Sequence, residues 1–371
     1  MAASARVRAR ESAVRAPCRQ RKRERPRNAS GAAAGDAGTS GSARPSSFYT
    51  SKLFDDYDEI SIKGVPEYLV FNRCILSGYR VNFTTKDSFF SLFTLHNETL
   101  NIWTHVAGFL IFLCLLLALA FSPARPPIVK HVHKQLESLQ HRLEKFEEGA
   151  MENIERSILS PLSNITVNPE YWPMYTYLLG AMACMLCSSL AHTFSICSPR
   201  ANMLWWRMDY FGIAIMICTS FYPIVYYLFL HNFYWCTFYL SAITLLGGLV
   251  SYVSLTEKFQ DNAYRKFRAW IFFAMAAFGV FPILHGMIKF NFFHNESLWN
   301  VLSYEVVMAV LYVGGVIIYA IQFPECHYPG KFDIFFNSHQ LFHVAIVLAA
   351  YSHYVAGMTA IDWRYGPSAA G

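Results

Sequence analysis

Two histidines four residues apart, in Phe336-Asn337-Ser338-His339-Gln340-Leu341-Phe342-His343, open the last long apolar run of the chain. On a helix, positions i and i+4 lie one above the other on one face, so both imidazoles can reach a single divalent metal. The plain alternative is a pair of packed, hydrogen-bonded histidines. A third donor would decide between them. His192 closes Ser188-Ser189-Leu190-Ala191-His192, and Asp209 sits in Arg207-Met208-Asp209-Tyr210-Phe211-Gly212. Three neutral imidazoles from His192, His339 and His343 leave the fourth position of a tetrahedral zinc (Zn2+) site open, where the pKa of a water falls to about 7 and a carbonyl is polarised. In that reading Asp209 accepts a hydrogen bond from the water and shuttles its proton. Ser188, one turn before His192, orients a ligand or donates to a developing oxyanion. A structural zinc that only ties three segments together would use the same ligands.

These residues need a membrane to position them. The 371 residues are 54% hydrophobic and 16% aromatic with only 15% charged, a balance that asks for lipid as solvent. Seven apolar runs approach the ~20 residues that cross a bilayer, at about 102–121, 174–197, 209–230, 237–255, 269–289, 301–322 and 339–359. The expected fold is therefore all-α, with seven transmembrane helices and the termini on opposite sides. Arg200 and Arg207, then Lys258, Arg265, Lys266 and Arg268, then Lys331 follow the even-numbered spans, while residues 231–236 and 290–300 contain no Lys or Arg. That pattern places the N-terminus in the cytosol and the C-terminus outside or in a lumen. Two sequons, at Asn164 and Asn295, fall on the outer side. With this topology His192, Asp209, His339 and His343 share the cytosolic end, and histidines at membrane depth are functional candidates by default. Glu98, Asn101 and His105 share a face at the start of the first span, as a second active cluster or as hydrogen bonding between helix ends. No chain of ionisable groups continues across the bilayer, which argues against proton or ion translocation.

Outside the spans the chain divides further. Residues 1–51 carry eleven Lys and Arg against three acids and too little apolar periodicity for a core, so they read as a disordered basic cytosolic arm. No signal-peptide apolar region occurs there. The cluster Gln20-Arg21-Lys22-Arg23-Glu24-Arg25-Pro26-Arg27 is read as a solvated arm near anionic lipid, with no nucleic acid as partner. Residues 52–101 suit one or two short amphipathic helices at the membrane surface. The outer loop 122–173 steps Val132, Leu136, Leu139, Leu143 and Phe146 by threes and fours, an amphipathic helix that packs on its own domain or serves a dimer. A tail from 360 to 371 lies outside. Gly247-Gly248 and Gly314-Gly315 are expected to let helices approach closely, and Pro223 and Pro282 to kink spans three and five. The nine cysteines lie mostly in apolar runs and form no lumenal disulfide framework.

Four motifs in register, Glu98-x-x-Asn101-Ile102-Trp103-Thr104-His105, Ser188-x-x-x-His192, Asp209-Tyr210-x-Gly212 and Ser338-His339-Gln340-x-Phe342-His343, resemble those of the progestin and adipoQ receptor family. Pro324-Glu325, Tyr328-Pro329-Gly330-Lys331-Phe332-Asp333-Ile334 and Trp363-Arg364-Tyr365-Gly366 resemble the adiponectin-receptor branch. The likeness covers about Val65 to Gly366 apart from the first outer loop, which is longer than in that branch. It implies a receptor with a cytosolic N-terminus and zinc held by His192, His339 and His343, with the Asp209 position engaging the zinc-bound water and Ser188 beside it. It also implies hydrolysis of ceramide to sphingosine and a fatty acid, in lipid signalling and homeostasis. The partners implied are a membrane lipid, an adiponectin-like extracellular protein and a homo-oligomer. The expected home is the plasma membrane, with Golgi or endoplasmic reticulum as the alternatives. Other members of the family are steroid receptors or Golgi tethers of signalling proteins, for which the zinc would be structural.

Overall fold

A computed structural model describes residues 64–121, 169–260 and 262–365. The basic arm, the helix expected from Val132 to Phe146 and the sequon at Asn164 lie outside the described residues. Short helix α1 (Thr85–Phe90) precedes α2 (Thr99–Phe121), α3 (Trp172–Phe194), α4 (Pro199–Phe229), α5 (Phe233–Leu255), α6 (Arg265–Ala277), α7 (Val280–Phe290), α8 (Glu296–Ile321) and α9 (Ser338–Tyr365). No strand occurs among the described residues. Seven helical spans are long and apolar enough to cross a membrane, α6 and α7 together making one of them. Nothing but helices would satisfy every backbone group of such runs in lipid, short of a closed barrel.

Local chemistry explains where the spans begin and break. Thr84 and Asp87 form a reciprocal capping box that starts α1 at the surface. Ser198 accepts from the Ala201 amide with Pro199 at the first helical position, so α4 begins at Pro199 rather than near 209. That extra length carries Trp206 and Arg207 on the helix below Asp209. Pro282 leaves the Phe278 carbonyl without its helical donor, and the fifth span divides there into α6 and α7. Pro223 instead sits inside an uninterrupted α4. The last helix continues through Tyr365, so residues 360–365, expected as tail, are helical.

The spans are not equivalent. In their apolar windows α3 is 61% buried and α4 and α9 are each 50% buried, against 11% for α8, so these three form the inside of the bundle. They are also the helices that carry His192, Asp209, His339 and His343. Helix α3 packs against α2 and α4, and α9 against α8, α2 and α4. One glycine of each expected pair meets a neighbour. A Cβ on Gly247 would lie 2.8 Å from Cys218 Sγ, and one on Gly315 2.9 Å from Ala345 Cβ. Gly248 and Gly314 face open space, because successive helical residues point about 100° apart. The tightest approach was not read from the sequence: a Cβ on Gly180 would lie 1.9 Å from Thr219 Oγ1, where α3 meets α4.

A disulfide joins Cys74 to Cys326, with Cα atoms 5.0 Å apart and a sequence separation of 252. The expectation of no lumenal framework did not name this pair, since two cysteines so distant in sequence have no spacing signal. It ties the segment before α1 to the connection between α8 and α9. Polar contacts reinforce it: Asn72 Nδ2 donates to Glu325 Oε1 at 2.8 Å, while the Leu76 amide and Ser77 hydroxyl donate to Asp333 Oδ2 at 3.1 and 2.7 Å.

Candidate metal centre

The sequence Asn337-Ser338-His339-Gln340 sets the start of α9. Asn337 Oδ1 accepts from the Gln340 amide at 3.1 Å, and Gln340 Oε1 accepts from the Asn337 amide at 3.3 Å, a reciprocal capping pair. Buried Glu325 accepts from the Ser338 amide at 2.8 Å and from the Ser338 hydroxyl. A carboxylate at a helix N-terminus also meets the positive end of the helix dipole. Gln340 Nε2 donates to the carbonyls of Ile334 (2.8 Å) and Asn97 (3.3 Å), joining the helix start to the chain just before Glu98. His339 is thus the second residue of a firmly capped helix, and His343 stands one turn further in.

His192 comes from the last turn of α3. One ligand atom from each of His192, His339 and His343 falls within 4.8 Å of the others. The three rings are mutual neighbours, with centroid separations of 5.0, 4.9 and 4.6 Å. The outer nitrogens of His192 and His343 are already engaged. Glu98 Oε2 lies 2.7 Å from His192 Nδ1, and the Asn101 carbonyl lies 3.0 Å from His343 Nδ1. Both partners can only accept, so each Nδ1 carries the proton and each Nε2 presents a lone pair inward. His192 Nε2 and His339 Nε2 are 3.3 Å apart, the edge of a tetrahedron whose bonds are roughly 2.0–2.1 Å long. Imidazole lone pairs converging in a buried place favour a cation between them, and the donor set fits zinc.

The surroundings hold this arrangement. Asn101 Nδ2 donates to Glu98 Oε2 at 2.6 Å, so one carboxylate oxygen serves both Asn101 and His192. Burial pushes the Glu98 carboxyl up, but the His192 imidazole beside it and the hydrogen bonds from His192 and Asn101 outweigh this and hold it well below its ordinary range. Arg80 donates to the His192 carbonyl at 2.6 Å and to Ser91 Oγ at 2.7 Å. Burial lowers the Arg80 guanidinium to about 10 against the pull of Glu98, so it remains charged at neutral pH. The Trp206 ring meets His192 edge-on at 5.0 Å, and His105 stacks on His343 at 3.8 Å with both ring nitrogens buried and unpartnered.

Each residue singled out by sequence has a definite place. His192, His339 and His343 come together. Ser188, buried one turn before His192, is hydrogen-bonded to Asp209, whose carboxylate also interacts electrostatically with His192. Glu98, Asn101 and His105 do not form a second centre; they form the outer wall of this one. Two further polar contacts within the spans, at Glu305 and His285, lie elsewhere. Glu305 Oε1 is 2.8 Å from His353 Nδ1, whose Nε2 lies 2.7 Å from the Ser220 carbonyl, and Tyr239 Oη is 3.1 Å from His285 Nδ1. The parts missed in the sequence are the bond from Glu98 to His192, and Arg80 and Trp206. Only the i, i+3 spacing of Glu98 and Asn101 hinted at any of them.

The comparisons fall on this same region. The family model described as haemolysin-III related matches residues 93–354. The chain belongs to that family, which is the progestin and adipoQ receptor family. Among its relatives, heptahelical transmembrane protein 4 of Arabidopsis thaliana is 36% identical over 353 residues, covering 83% of this chain and 89% of its own. Heptahelical transmembrane protein ADIPOR3 of Oryza sativa subsp. japonica is 34% identical over 370 residues, covering 83% and 91%. The adiponectin receptor protein of Drosophila melanogaster is 32% identical over 293 residues, covering 79% and 57%. This is an adiponectin-receptor-like, integral multi-pass membrane protein.

The hydrogen bond to His192 makes a prediction about Glu98. Glu98→Ala is expected to weaken zinc binding about 10–100-fold, the usual cost of losing a carboxylate that orients a ligating histidine, with Glu98→Gln in between. Competition with a chelator of known affinity reads the change. Unaltered affinity would leave Glu98 only a tie between helix ends.

Proposed function

We propose that the protein is a zinc-dependent lipid amide hydrolase of the membrane, acting on ceramide or a close relative to release sphingosine and a fatty acid, and that it signals through this activity. The observation that carries the proposal is the inward-facing trio His192, His339 and His343, with Asp209 and Ser188 beside it. Zinc held there would supply a Lewis acid for the amide carbonyl and bring the pKa of a water to about 7. Glu98 and the Asn101 carbonyl keep two of the imidazoles in the tautomer that can ligate. Asp209, kept in place by Ser188, accepts a proton from the attacking water and returns it to the leaving amine. Trp206, His105 and Tyr319 wall the rings and keep bulk water off them.

The positively charged loops after α3, α5 and α8 support a cytosolic N-terminus and with it a centre near the cytosolic face. An acyl amide then reaches it laterally from the bilayer. Residence in the plasma membrane goes with a receptor role, and an extracellular protein ligand is suggested by the name of the fly relative. The test uses the purified full-length chain, assayed on a long-chain ceramide after zinc stripping and after zinc reloading. Hydrolysis is expected only in the loaded sample. Equal, slow turnover in both would defeat the proposal.

A further inference from the structure

The disulfide lies in a strap over the histidine end of the bundle. One side of the strap, residues 72–80, ends in Arg80, which holds the His192 carbonyl, while the Gly78 carbonyl accepts from the Asn97 amide next to Glu98. The other side, residues 322–337, carries Glu325, which caps Ser338, and ends at the first turn of α9. The Cys74–Cys326 bond joins the two sides. Beside it, non-covalent contacts link the two sides: hydrogen bonds from Asn72 to Glu325 and from Leu76 and Ser77 to Asp333, and packing of Ile334 against Gly78. Both cysteines are half-buried and flanked by exposed Arg73, Leu76, His327 and Tyr328, so the bond lies in a partly exposed stretch of the strap. Cys114, Cys184, Cys187, Cys197, Cys218 and Cys236 are unpaired, so among the described residues this is the one oxidised pair. It shares an end of the bundle with the loops that the charge pattern assigns to the cytosol. Disulfides in that compartment are usually transient and redox-sensing.

We propose that Cys74–Cys326 is a reversible thiol–disulfide exchange site, opened by low-molecular-weight thiols, that controls how firmly the strap orders the histidine end of the bundle. A thiolate attacks one sulfur, the S–S bond breaks, and the displaced cysteine leaves as a thiolate and takes up a proton. A second thiol attacks the mixed disulfide and frees the other cysteine. Two protein sulfurs gain the two electrons, and the two small thiols leave joined as their own disulfide. A small disulfide drives the reverse reaction. Opening the bond removes the one covalent link across the strap, and with it the constraint on the α9 cap and on Arg80.

The inference rests on the metal-centre proposal only for its zinc readout, and three measurements on the full-length chain in nanodiscs test it. Across a series of reduced-to-oxidised glutathione ratios, thiol tagging is followed by mass spectrometry at Cys74 and Cys326, amide hydrogen exchange is followed at 72–80 and 323–340, and zinc affinity is measured. Tags are expected to appear at both cysteines together, with exchange of both segments rising about tenfold, exchange in α5 unchanged, and zinc affinity falling about tenfold. Reoxidation should reverse all three, and the double variant Cys74→Ser/Cys326→Ser should match the reduced protein. If that variant does not fold, titration of the native chain is still decisive. Tags on both cysteines without reductant, or full reduction with unchanged exchange in both segments, would overturn the inference, as would zinc affinity equal in the two states. Altered exchange with no zinc bound in either state would uphold the strap and defeat the zinc reading instead.

Discussion

His343→Ala is expected to leave the purified protein with less than about a tenth of the zinc held by the native chain, because a three-imidazole site cut to two loses at least ~100-fold in affinity. The same substitution should also cost stability. His343 is buried, stacks on His105 and bonds through Nδ1 to the Asn101 carbonyl, so truncation opens a cavity and removes a buried hydrogen bond, together about 2–4 kcal/mol. His339→Ala separates the two effects. His339 is only half-buried and lies in the first turn of α9, with its ring against Tyr319, so it should lose the metal equally with a smaller drop in thermal midpoint. Metal analysis on monodisperse, helical samples reads the first effect, and thermal unfolding with and without chelator reads the second. Native zinc content in either variant would remove that histidine from the ligand set.

The second large effect belongs to Asp209. Asp209→Asn is expected to lower ceramide turnover by roughly 10²–10⁴-fold, the usual worth of a positioned general base, while zinc content and abundance stay near native. The amide has nearly the shape of the carboxylate and still accepts from Ser188, so packing between α3 and α4 should survive. What the variant loses is the ability to take a proton. If Asp209→Asn protein turns over substrate at the native rate, the hydrolytic role fails. The metal would then act as a pin between α3 and α9, in a receptor or scaffold without catalysis.

Which parts of this were legible in the chain follows from the range of each signal. The seven spans follow from apolar runs about as long as a bilayer is thick, a property of consecutive residues that lipid enforces. The His339–His343 spacing is equally local, set within one turn, whereas the Pro199 helix start, though local too, lies outside the apolar run, which begins near 209. Placing His192 at the same level needed only the span order and the loop charges.

Other features depended on helix rotation and on contacts between distant segments. Whether Gly247 or Gly248 faces the neighbouring helix depends on the angle at which α5 lies against α4, which hydropathy does not encode in an all-round apolar helix. Glu98 orients His192 across 94 residues, Arg80 reaches the His192 carbonyl across 112, and Cys74 meets Cys326 across 252. The sequence alone determined the spans, their order and three histidines at one depth. The tertiary structure alone decided which nitrogens face inward, because tautomers are set by acceptors that distant segments bring to the rings.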